Sequence, residues 1–161
     1  MAQPTPSQPE AAQFDGRAKS GANWFFWIAA LSLVNTIAAF SGSDWRFIVG
    51  TGVTQVVDAM IMQVSGDAAG VAKVVALVFD IFVAVVFVAL GLLARKRHQW
   101  AFIVGMVGYG MDGLIFLLVK DWISIAFHVF AVWCIYAGLR ASRQLAQLPA
   151  APPPLAAPPV A

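Results

Sequence analysis

Charge is what this chain lacks most. Asp, Glu, Lys and Arg make up 11% of its 161 residues, and hydrophobic types 60%. A soluble domain averages about 25% charged and about 45–50% apolar. The deficit is concentrated in blocks. No charge falls between Gly21 and Phe40. Val74 to Ala94 carries only Asp80, Gln99 to Val119 only Asp112, and Trp122 to Leu139 only His128. A soluble core helix of that length would present a charged face. Cysteine is also scarce. The single Cys134 excludes an internal disulfide, and its place in the fourth block marks it as a packing residue. The two histidines, His98 and His128, are expected on opposite halves of the membrane, which excludes a metalloprotease helix with two histidines one turn apart. There is no GxxxxGK loop and no serine in a nucleophile elbow. Nothing points to a cofactor, and the identity of any metal stays open. The basic residues sit at the ends of the apolar blocks rather than on one face, so no nucleic-acid partner is expected.

What remains is four runs of about 20 apolar residues, each long enough for a helix to cross the hydrocarbon core. The expected fold is an all-α, antiparallel four-helix transmembrane bundle with spans near 22–40, 71–94, 100–119 and 122–140. Residues 1–20, with Pro4, Pro6 and Pro9, read as a disordered tail rather than an ordinary signal peptide; Ala39-Phe40-Ser41 is the only spacing that suits cleavage. Residues 143–161 read as a second, Pro/Ala-rich tail. Arg95-Lys96-Arg97-His98 and Lys120-Asp121 are the short connections. Arg17, Lys19, Arg95, Lys96, Arg97, Arg140 and Arg143 fall on one side, and Arg46, Lys73 and Lys120 on the other. The excess of basic residues puts both termini in the cytoplasm. Trp24, Trp27, Trp45, Trp100 and Trp122 stand at or near span ends, as interface anchors do. The bilayer is therefore a partner, and a composition rich in Ala, Val and Gly suits a bacterial inner membrane.

The segment 48–64, IVGTGVTQVVDAMIMQV, is amphipathic at helical spacing. Thr51, Thr54, Gln55 and Asp58 share one face, and Val53, Val56, Val57, Met60 and Val64 the other. It reads as a helix lying in the outer interface with its polar face toward water, or as a re-entrant helix dipping in against the bundle. A fifth span would place Arg95-Lys96-Arg97 outside, against the charge rule.

Ionisable groups inside a membrane cost about 2.5–3.5 kcal/mol at the helix centre, so they face the interior and often serve function. Here Asn35, Asp80, Asp112 and His128 fall one per span, all roughly 8–14 Å below the outer surface at about 1.5 Å per residue. They are expected to form one polar layer for binding or proton relay, with Thr51, Gln55 and Asp58 as an outer cap. Gly105, Gly108 and Tyr109 share the face of Asp112 and should pack against a neighbouring helix. Gly108-Tyr109-Gly110-Met111-Asp112-Gly113 spells G-x-G-x-x-G inside an apolar span, where it suits packing and not a dinucleotide. Phe79-Asp80 with Gly108–Asp112 loosely resembles the paired aspartates of GxGD-type intramembrane aspartyl proteases. Met111 interrupts that pattern, the Pro-Ala-Leu helix is missing, and those enzymes have more spans.

Three readings follow, in this order. The first is a non-enzymatic accessory or interaction subunit of a larger membrane complex, with tails available to partners. The second is a carrier for protons, a cation or a small solute, which in a four-helix chain calls for homo-oligomers. The last is an intramembrane enzyme.

Overall fold

The computed structural model describes residues 8–41 and 50–149. Its elements are α1 (Gln8–Phe40), α2 (Gly52–Ile61), α3 (Ala68–Arg95), α4 (Gln99–Gly113), α5 (Ile115–Leu118) and α6 (Trp122–Gln147), with no strand among the described residues. Four stretches are long and apolar enough to cross a membrane: Pro9–Phe40, Ala68–Arg95, Gln99–Leu118 and Trp122–Gln147.

The first and last helices overrun the expected spans. Residues 8–20, expected in a disordered tail, form the first turns of α1. Pro9 is tolerated there because the first amides of a helix have no intrahelical acceptor. Farther along, Asp15 pairs with Lys19 one turn on, at 2.7 Å, and with Arg97 at 2.9 Å. That second pair ties the extension to the turn between α3 and α4, where Arg97 has a left-handed φ of 70°. At the other end α6 continues to Gln147, past the expected tail boundary at 143. The remaining parts of both tails, 1–7 and 150–161, and residues 42–49 with Trp45 and Arg46, lie outside the described residues.

Helix α1 packs against both α3 and α6, and α4 against α3 and α6. Ala22, Phe25, Ile28, Phe102, Tyr109, Ile135 and Leu139 are buried at the centre. Gly21 and Gly138 let the backbones of α1 and α6 touch: a Cβ on Gly21 would lie 2.5 Å from Gly138 Cα. In lipid, expulsion of water does not drive helices together, so such close packing supplies the attraction. The outer face of α3 is apolar along its length, with Val71, Val74, Val78, Phe82, Val85 and Leu92 exposed.

The third span is two helices. α4 stops at Gly113, Leu114 intervenes and α5 resumes for one turn. The break follows Asp112 and lies under His128: a Cβ on Gly113 would meet His128 Cβ at 3.0 Å. Helix α2 packs against α1, α3 and α4 at this same end of the bundle.

A candidate functional site around helix α2

The N-terminus of α2 is where the polar groups of the spans gather. Its N-cap residue, Thr51, makes no side-chain capping bond to the helix. The cap comes from another helix. Gly52 N–H donates to Asp112 Oδ2 at 2.6 Å, and Val53 N–H donates to Asp112 Oδ1 at 2.8 Å. A carboxylate satisfies two of the amides a helix start leaves open, and it meets the positive end of the helix dipole. Gly52 is required by the fit, since a Cβ there would lie 2.8 Å from the Phe116 ring.

Asp112 has a second partner. His128 Nε2 lies 3.2 Å from Asp112 Oδ2, and both side chains are buried. His128 Nδ1 lies 2.8 Å from the carbonyl of Ser124, one turn earlier on α6. A carbonyl only accepts, so Nδ1 carries a proton. Nε2 then faces a carboxyl oxygen, and one further proton is shared between imidazole and carboxyl. The ring stacks on Tyr109, centroids 4.2 Å apart at 16°. Ser124 donates its hydroxyl to Asp121 Oδ2 at 2.6 Å and its amide to Oδ1 at 3.1 Å. These two bonds hold the Asp121 carboxyl below the ordinary carboxylate range. The line Asp121–Ser124–His128–Asp112 thus runs from the start of α6 to the start of α2. It crosses a backbone carbonyl, so it orders the site without being an unbroken proton wire.

A second acidic set lies on the other side of α2. Thr36 donates to Asp80 Oδ2 at 2.9 Å. The carboxyl of Asp58, from α2, lies close enough to Asp80 for the two groups to act on one another. Asp80 is fully buried and Asp58 is 5% exposed. Two carboxyls in contact need a proton or a cation between them. A cluster of hydroxyls at the start of α2 completes the polar region. Thr51 N–H donates to Ser32 Oγ at 2.9 Å, Ser32 Oγ donates to Thr51 Oγ1 at 3.3 Å, and Thr51 and Thr54 hydroxyls lie 3.0 Å apart.

The expected layer is therefore divided. Asp112 and His128 meet, while Asp80 meets Thr36 and Asp58. No three His, Cys, Asp or Glu side chains group as a metal site among the described residues. Asn35 is buried against Gly50. The polar face of α2 is turned the opposite way from that of an interfacial helix. Thr51, Thr54 and Asp58 are buried, whereas Met60 is 66% and Val56 38% exposed. Of the expected outer cap, Gln55 alone stays half-buried. The reason is physical: the bundle end offers hydroxyls and a carboxyl, so the polar face finds partners inward. Gly105 packs against the Phe25 ring and Tyr109 is fully buried, but Gly108 is exposed with open space beyond it, so it packs against nothing. The carboxyl facing Asp80 belongs to Asp58, not to Asp112, which departs from the aspartyl-protease pairing.

Thr36, Ser32 and Asp121 escaped sequence reasoning. Ser32 and Thr36 are one turn apart on α1 and flank Asn35, so a helical-wheel pattern was available. Comparison with protein families, with curated proteins and with solved structures found no match.

Proposed function

We propose that this multi-pass membrane protein binds and carries a proton or a small cation at the buried Asp58–Asp80 pair, with α2 as a re-entrant helix closing the outer end of an antiparallel bundle. The contact between those two carboxyls carries the reading. A purely structural network would be served by one carboxylate with hydroxyl donors; a second, facing carboxyl brings a charge that only a proton or cation relieves. Thr36 supplies a neutral oxygen beside the pair, as hard cations and protons both accept. His128 and Asp112, which hold the start of α2, are assigned the role of positioning it. An apolar hollow of about 200 Å³ bordered by Leu117, Val129 and His128 opens beside that latch.

The antiparallel order is supported by the Arg97–Asp15 pair and the Gly21–Gly138 contact, and the cytoplasmic placement of both termini by the basic-residue excess. A non-enzymatic accessory subunit is the other reading; the outer parts of the two tails that motivate it, 1–7 and 150–161, lie outside the described residues. The test is flux in proteoliposomes loaded with a pH-sensitive dye, under an imposed pH or sodium gradient. Wild type is expected to dissipate one of the two gradients, and Asp80→Asn and Asp58→Asn to abolish this at unchanged abundance. Equal flux in wild type, variants and empty vesicles would sink the carrier reading, and co-purification of a fixed partner in mild detergent would then favour the accessory subunit.

A further inference from the structure

Two adjoining hollows follow the seam between α1 and α6 and share Ser20 and Trp24. The first, about 510 Å³, is bordered by Arg17 from α1 and by Arg140 and Gln144 from α6, with Gly21 in its floor. The second, about 340 Å³, continues past Trp24 to Trp27, Leu31 and Phe127. Residues 17, 20, 24, 27 and 31 recur at helical spacing and form one stripe. From Arg17 to Leu31 the stripe covers about 21 Å at about 1.5 Å per residue. That exceeds the depth of one leaflet, half of about 30 Å. Polarity changes along it, from two guanidinium groups, a hydroxyl and an amide to indole and alkyl surface.

We propose that this groove binds one anionic phospholipid, with its phosphate between Arg17 and Arg140 and an acyl chain along Trp24, Trp27 and Leu31. Among the described residues neither arginine is paired with a carboxylate. The ion pairs among the described residues are Asp15–Lys19, Asp15–Arg97 and Asp112–His128. Asp15, the acid nearest Arg17 in sequence, is already engaged twice. Arginine matches phosphate with paired N–H donors. Basic hollows between membrane helices take anionic headgroups. Gly21, which borders the hollow, brings no side chain into it. The site is separate from the Asp58–Asp80 centre, which lies toward the other end of α1.

Native mass spectrometry of the full chain in mild detergent tests this, using phosphatidylglycerol and phosphatidylcholine with identical acyl chains. The expected result is one phosphatidylglycerol retained per chain and phosphatidylcholine lost. Arg17→Ala with Arg140→Ala should weaken retention on the order of tenfold or more, and Ala137→Phe, which fills the groove, should also weaken it. Arg95→Ala with Lys96→Ala should leave retention unchanged. Equal retention of both lipids, an unaffected arginine variant, or displacement by glycerol phosphate at matched concentration would overturn the proposal. Should the arginine variant not fold, salt decides: raised ionic strength must release phosphatidylglycerol from the wild-type protein, and retention indifferent to salt would count against the site.

Discussion

Where α1 passes α6 at Gly21 and Gly138, the bundle is held by shape: backbone meets backbone and Phe25 lies between Phe87 and Phe102. About 16–22 Å further along α1 at about 1.5 Å per residue, at Ser32 and Thr36, it is held by hydrogen bonds to α2 and α3. Both ends answer the same problem. Lipid gives no hydrophobic force between helices, so association needs close packing or polar bonds. The packed end needs only small residues and rings at its helix contacts, and no carboxyl is buried in them. The bonded end has buried carboxyls whose partners matter, and it alone can respond to protons or cations.

The largest effect is expected at the bonded end. Asp112→Ala removes the cap of α2 and the partner of His128 together, and should cost about 3–5 kcal/mol, the range for breaking one side of a buried pair. Unfolding in detergent would measure it, and a loss below about 1 kcal/mol would mean that Asp112 does not hold α2. At the packed end Leu139→Ala should cost about 2–3 kcal/mol through the cavity it leaves. Leu139 is about 16 Å along α6 from His128. The double variant Leu139→Ala with His128→Ala should therefore be additive within about 0.5 kcal/mol. Strong coupling between these two sites would erase the division into two ends.

Asp121→Ala should cost about 1 kcal/mol, as loss of an N-cap does. Because Ser124 holds the Asp121 carboxyl below its ordinary value of 3.8, this contribution is full above about pH 4 and is lost as the pH falls through the depressed value. The gap between wild type and Asp121→Ala, followed by thermal unfolding against pH, should close on acidification. A gap that widens in acid would reverse the assignment. The smallest effect is Lys19→Ala. It breaks an exposed i,i+4 pair, and less than about 0.5 kcal/mol should be lost.

At the packed end the four apolar helices were legible, because charge-free blocks depend on one helix at a time; the Gly21–Gly138 contact and the place of Phe25 between Phe87 and Phe102, which need two or three helices together, were not. The burial of Asn35, Asp80 and His128 was legible for the same reason: an ionisable or amide group within a span has nowhere to go but inward. Their partners were not legible. Asp58 reads as part of an outer cap on a helix that either lies at the interface or dips in against the bundle, and the choice depends on Ser32 and Asp80, which lie on α1 and α3. The capping of Gly52 and Val53 by Asp112 spans some sixty residues of sequence, and no local pattern records it. Gly108 lies on the exposed side of α4 with open space beyond it, so spacing alone misplaced it. Residues 8–20 read as part of a tail because of Pro9 and their polarity, yet they are helical, with Asp15 bonded to Lys19 and Arg97.

The inward turn of α2 is tested most directly by thiol labelling in a Cys134→Ala background, with Thr54→Cys, Val56→Cys and Met60→Cys in turn. Thr54→Cys is expected to resist an impermeant reagent added from either side, while Val56→Cys and Met60→Cys react with a lipid-soluble maleimide. Rapid labelling of Thr54→Cys by the impermeant reagent, with Val56→Cys and Met60→Cys protected from both, would contradict it and return α2 to the water interface with its polar face outward.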